Sequence, residues 1–112
     1  KVENKEHIHF LDKKYLHFEV IDAVKAPHSK TFFAILDYGI EGGLEQVPLL
    51  RSLNDGETWV EIGKVKKPHF SALIKEIKFT SPKEGTIKFE KDESHFLILQ
   101  TKNSGKTWVE KK

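Results

Sequence analysis

At 112 residues and a formal net charge of +2, the chain is sized for one small domain, spanning 1–112, and its surplus of positive charge is too slight to single out nucleic acid as a partner. It contains no cysteine, which excludes a disulfide framework and thiolate metal sites, and no apolar run approaches the roughly 20 residues that cross a bilayer as a helix. Eight Phe, two Trp and two Tyr with no Met favour β structure built on large, rigid core pieces.

The first predicted element is an N-terminal hairpin over residues 6–20. His7-Ile8-His9-Phe10-Leu11 and Tyr15-Leu16-His17-Phe18-Glu19-Val20 both alternate with period two, and Asp12-Lys13-Lys14 would join them. One face would pair Phe10 with Leu16 and Ile8 with Phe18. The other would gather His7, His9, His17 and Glu19, which are ligand types suited to zinc. A solvated polar face explains the same spacing, so no cofactor is expected and these four residues stand only as candidate metal ligands.

A strand, a turn at Pro27 and a second strand beginning near Phe32 come next. Then follows a long loop from Asp37 to Pro48 that holds Tyr38, Gly39, Glu41, Gly42, Gly43 and Glu45. Loops on a β frame are where recognition usually sits, so Asp37, Tyr38, Glu41 and Glu45 are the candidate binding residues. A third strand leads into Ser52-Leu53-Asn54-Asp55-Gly56-Glu57-Thr58-Trp59.

Beyond it, Lys64-Val65-Lys66-Lys67-Pro68 is too short for a basic membrane-surface helix. The pattern then starts again, with a strand through Phe79, a turn at Pro82, a strand near Thr86-Ile87, and finally Thr101-Lys102-Asn103-Ser104-Gly105-Lys106-Thr107-Trp108. Both eight-residue phrases read S/T-x-N-x-G-x-T-W, and each ends on one of the two tryptophans. The chain is therefore an internal repeat, with one unit over 16–62 and a second over 72–111. Aligned on Val24 with Phe79 and on Thr31 with Thr86, the units are offset by 55 before the long loop and by 49 after it, which makes that loop six residues longer in the first unit.

Each phrase has the chemistry of a tight turn. Asn54 and Asn103 can bond their own backbone two residues on, and Gly56 and Gly105 supply positive φ without steric cost. Ser52 and Thr101 precede the turns, Thr58 and Thr107 open the next strands, and Trp59 and Trp108 anchor them by burial. The phrase resembles the Asp box of the BNR repeat family, with Asn in the Asp position, so the turn-forming oxygen is kept and the charge is lost. The resemblance implies an all-β fold of two propeller-blade-like antiparallel meanders, each ending in an Asp-box hairpin. Two blades are too few to close a propeller, so a small β-sandwich is the expected packing. An oligomeric ring (a homo-oligomer) or a partial β-propeller is the alternative.

The resemblance also brings in sialidases and small ribonucleases, whose sites use clusters of arginine. This chain has one arginine, Arg51, and lysine does not reproduce the guanidinium fork, so no enzymatic activity is expected. Asp37, Glu41 and Glu45 could supply a glycosidase-like pair, but a glycine-bearing loop positions acids poorly. Lysines are scattered without the aromatic interleaving of a nucleic-acid groove, so no nucleic-acid partner is expected. Residues 1–63 carry a net −4 and residues 64–112 a net +6, a split that can steer association. The expected function is that of a small exported, non-enzymatic binding module that takes a protein partner through its loops, as an inhibitor or immunity-type protein does. An assembly or stability factor for an envelope complex is the alternative, and a glycan-binding or degenerate glycosidase-like domain is another. The expected location is extracytoplasmic, because the sequence starts without Met and Asp-box proteins are mostly exported.

Overall fold

The computed structural model describes residues 18–38, 46–68, 72–92 and 94–111. Strands β1 (Phe18–Lys25), β2 (Phe32–Tyr38), β3 (Gln46–Ser52) and β4 (Val60–Lys66) form sheet one in chain order. Strands β5 (Leu73–Phe79), β6 (Gly85–Asp92), β7 (His95–Thr101) and β8 (Val109–Glu110) form sheet two in the same way. Every neighbouring pair is antiparallel, and no helix occurs among the described residues. The two sheets pack face to face as a small all-β sandwich. The first meander runs to Lys66, four residues past the expected end of the first unit.

Pairing partners share a face of a sheet, so the registers fix what each face carries. In sheet one, Ala23, Ala34, Leu36 and Leu50 lie on the face of Trp59, whereas Phe33, Ile35, Val47, Leu49 and Val65 lie on the other. In sheet two, Ile77, Phe79, Ile87 and Phe89 share the face of Trp108. The main core joins the Trp108 face of sheet two to the far face of sheet one. The Phe33 and Phe79 rings stack across it with centroids 3.6 Å apart. The sheets are thus stacked front to back, and equivalent faces do not meet.

Beside the core, β1 and β5 approach each other. Strand β1 carries a bulge between Val20 and Asp22, and the buried Asp22 carboxylate lies at this seam. It accepts the Ala23 N–H at 2.9 Å and the Ile77 N–H at 3.1 Å. The acid thereby satisfies backbone donors where the ladder is broken.

The register also corrects the repeat alignment. Phe32 faces Ser52 and Gly85 faces Thr101, so equivalent positions in the second strand are 53 apart, not 55. Four extra residues, not six, therefore separate the second and third strands of the first unit. The cross-strand pair Lys25–Phe32 corresponds to Phe79–Gly85, with the aromatic ring moved to the opposite strand. In both sheets that ring meets the tryptophan edge to face. Phe32 lies 6.2 Å from Trp59, and Phe79 lies 6.3 Å from Trp108. A Cβ on Gly85 would come within 2.7 Å of the Phe79 ring, so the glycine makes room for the displaced aromatic.

Candidate binding groove and the two turns

The two turns match bond for bond. Ser52 Oγ donates to Asn54 Oδ1 at 2.9 Å and accepts the Gly56 N–H at 2.8 Å. Thr101 Oγ1 makes the same two bonds with Asn103 and Gly105, each at 2.9 Å. The Thr58 N–H donates to Asn54 Oδ1 at 2.9 Å, and Asn54 Nδ2 donates to Thr58 Oγ1 at 2.8 Å. Thr107 and Asn103 repeat this at 3.0 and 2.8 Å. Because a backbone N–H can only donate, the side-chain atom that accepts it must be the amide oxygen. The asparagine amide, expected to bond backbone two residues on, instead takes the threonine N–H four residues on, and the Ser52 or Thr101 hydroxyl takes the glycine N–H in its place.

Two consecutive residues take positive φ in each turn, Asp55 and Gly56 at 65° and 88° and Ser104 and Gly105 at 64° and 88°. These are the values of a type I′ turn, whose twist suits antiparallel strands. Each turn is also tied to the first loop of its own unit, through Asp55 N–H to Lys30 C=O at 2.8 Å and Ser104 N–H to Lys83 C=O at 3.0 Å. The indole N–H of Trp59 donates to Gly56 C=O at 2.9 Å, and that of Trp108 to Gly105 C=O at 3.0 Å. Both indoles are half-buried, where fuller burial was expected. Gly105 has a second constraint, since a Cβ there would lie 2.8 Å from Leu49 of the opposite sheet.

The expected binding loop comes out differently. Asp37 and Tyr38 belong to β2, and Gln46 to Pro48 belong to β3. The Asp37 carboxylate is buried and accepts from Lys67 Nζ at 2.8 Å, with the side chains 9% and 1% exposed. Asp37 is therefore a structural ion-pair partner and does not offer its charge to a ligand. Glu41 and Glu45 lie outside the described residues, as do His7, His9, His17 and most of the expected 6–20 hairpin. Glu19 is exposed on β1, and no cluster suited to holding a metal occurs among the described residues.

Sequence reasoning did not find the groove that the front-to-back stack creates. It lies between β4 with its continuation to Pro68, the strand β7, and the second turn. Its volume is about 490 Å³, within the range of ligand sites. Val65, Leu97, Leu99 and Trp108 supply apolar lining and Lys67 and Lys106 contribute charge, while Lys64 and Lys66 border the groove from β4, where the register sets them on the face opposite Val65. Lys67 is occupied by Asp37, and Lys64 bonds Glu61 at 2.9 Å. Lys66 and Lys106 are exposed and have no acidic partner among the described residues. Trp108 was expected to serve its hairpin alone, yet one part of the indole lines this groove. The run Lys64-Val65-Lys66-Lys67 was the visible half of the signal, and the other half lies about 40 positions away along the chain.

No protein-family model matches the chain, and neither a curated protein nor a solved structure matches it.

Proposed function

We propose that this chain is a non-enzymatic binding module whose groove takes an acidic, partly apolar segment of a protein partner, with the two turns acting as Asp-box scaffold. The observation that carries this reading is the combination of a lysine rim and an apolar floor in one groove of about 490 Å³. Lys106 offers charge with no acidic partner among the described residues and Lys66 adds charge from the edge strand β4, while Leu97, Leu99 and Trp108 offer surface that gains by being covered. The polarity is the reverse of the acidic loop expected from Glu41 and Glu45, because Asp37 is spent on Lys67 and the exposed charge of the groove is positive. The lack of enzymatic activity rests on the single arginine, and the extracytoplasmic location rests on the Asp-box resemblance.

The test is partner capture by the wild-type chain and by a Lys66→Glu/Lys106→Glu variant, at low and at high salt. Wild type should retain an acidic protein, more weakly at high salt. The variant should lose it with its melting temperature unchanged. A second variant, shortened between Tyr38 and Gln46, should bind as wild type does. Equal capture by the lysine variant, or loss only in the shortened one, overturns the groove reading and returns the site to the loop.

A further inference from the structure

Strand β4 is the outer strand of sheet one and pairs with β3 on one side only. Two observations fix which of its residues turn their backbone polar groups outward. The Ile98 carbonyl accepts the Lys111 N–H at 2.8 Å, so Ile98 faces the fourth strand of its sheet. Leu49 holds the same place in β3, because Ser52 and Thr101 are equivalent. Pro48, which has no N–H, sits where the pairing of β2 with β3 has stopped at Ile35–Leu49, so its nitrogen faces away from β4. Residues two apart along a strand point the same way, so Val47 and Leu49 exchange bonds with Val65 and Gly63. Lys64 and Lys66 therefore aim their backbone N–H and C=O at the open edge, and these groups have no partner among the described residues.

The register also assigns the side chains. Lys64 and Lys66 lie on one face of β4, while Gly63 and Val65 lie on the other, toward the core between the sheets. A Cβ on Gly63 would meet nothing within 4 Å, so that face has room beside β4. Leu97, Leu99 and Trp108 of sheet two line the groove together with Val65. Lysines and a bulge on an edge keep copies of one chain from pairing through it, but the same charge draws an acidic strand. We propose that the partner segment docks as a fifth strand of sheet one, antiparallel along the outer edge of β4, with acidic and apolar residues in strict alternation. Cross-strand partners share a face, so its acids would stand opposite Lys64 and Lys66 and exchange backbone bonds with them. Its apolar residues would stand opposite Gly63 and Val65 and cover Leu97, Leu99 and Trp108. This inference rests on the groove reading above and adds the pattern of the segment and its binding mode.

The probes are two blocked peptides of equal composition, one of repeated Glu-Val and one of repeated Glu-Glu-Val-Val, with binding followed by calorimetry on the full chain. Only the first puts every acid on one face of a strand, so it should bind about tenfold tighter. N-methylating its glutamates should abolish binding and N-methylating its valines should leave it intact, because only the glutamate N–H groups face β4. Lys66→Pro removes one outward N–H without touching the β3–β4 ladder, and proline is tolerated where its N faces an open edge. It should bind the alternating peptide about tenfold more weakly than Lys66→Gln, which loses the charge alone. Should Lys66→Pro not fold, the two N-methylated peptides on wild type decide alone. Equal binding of the two parent peptides, or of the two N-methylated ones, overturns strand addition, as does equal binding by Lys66→Pro and Lys66→Gln. Partner capture still lost in Lys66→Glu/Lys106→Glu would then keep the groove reading without this mode. No binding of either peptide to wild type also overturns strand addition, whereas partner capture decides the groove reading separately. Concentration-dependent pairing of copies that Lys66→Pro abolishes overturns the acidic occupant.

Discussion

Strand β2 of sheet one and strand β6 of sheet two hold equivalent places beside equivalent turns, yet their side chains live in different surroundings. In β2, Phe33 and Ile35 enter the core between the sheets, while Ala34 and Leu36 enter a second cluster with Trp59. In β6, Ile87 and Phe89 are buried but Thr86, Lys88 and Glu90 are only half-buried. The sequences follow suit. Residues 32–36 form an unbroken apolar run, whereas residues 86–90 alternate strictly. A strand buried on both faces loses its period-two signature, and one buried on a single face keeps it. The turns are indifferent to this, because their bonds close within eight residues or reach only the first loop of the same unit. The turn is thus a local device, and place in the stack decides everything around it.

The largest expected effect is confined to sheet one. Lys67→Met leaves the Asp37 carboxylate buried without its cation and should cost about 3–5 kcal/mol in urea unfolding. Asp37→Asn added to it should recover a substantial part. A loss under about 1 kcal/mol would show that the pair is hydrated and that sheet one has no special tie at this end.

Trp59→Ala and Trp108→Ala should each cost about 3 kcal/mol, near the low end for large aromatic truncations because both indoles are half-buried. Equal losses would assign the cost to the shared turn. A larger loss at Trp108 would assign the excess to packing against sheet one. An effect near zero at either site would end its role as an anchor.

Gly85→Ala addresses the moved aromatic. The added Cβ would sit 2.7 Å from the Phe79 ring and from the Lys78 carbonyl oxygen, so overpacking should cost about 1–3 kcal/mol. The equivalent place in sheet one carries Phe32, with the Lys25 Nζ opposite it 5.9 Å from the ring centroid. A neutral Gly85→Ala would mean that Phe79 can move, despite its stack on Phe33.

The smallest effect is at the short β6–β7 connection, where sheet one has its long loop. His95 Nδ1 lies 2.7 Å from Asp92 Oδ1. That hydrogen bond, followed by the one from the Ser94 N–H, holds the Asp92 carboxyl below the ordinary aspartate value. A carboxyl lowered in the folded state stabilises above the unfolded value, and the contribution is lost as pH falls through the folded one. His95→Ala should therefore shift the Asp92 titration upward by NMR, with no measurable change in melting at neutral pH because the pair is exposed. An unmoved titration would remove His95 as the cause.

What was legible in the sequence was whatever closes over a few residues. The paired phrases placed two tight turns with a positive-φ glycine in each, and period-two runs gave most strands and the all-β class, whereas the positive φ of Asp55 and Ser104, the capping hydroxyls and the indole partners came from the structure. Contacts made at a distance were not legible. Lys67 meets Asp37 across 30 positions, and a carboxylate that looked like a loop acid became part of the interior. Asp22 became a buried acceptor for the Ile77 N–H, which lies 55 positions on. Phe79 could not be matched to Phe32 by sequence, because the ring had crossed to the facing strand and only Gly85 marks the exchange.

The sequence by itself therefore determined the repeat, the turns and the strand class, since hydrogen bonds within eight residues and backbone φ depend on neighbours alone. Tertiary structure decided the front-to-back stacking, the buried ion pair and the lysine-rimmed groove. Each of these depends on which face of one sheet meets which face of the other. That choice is made by the total apolar surface the two sheets can bury together, a quantity no single segment carries.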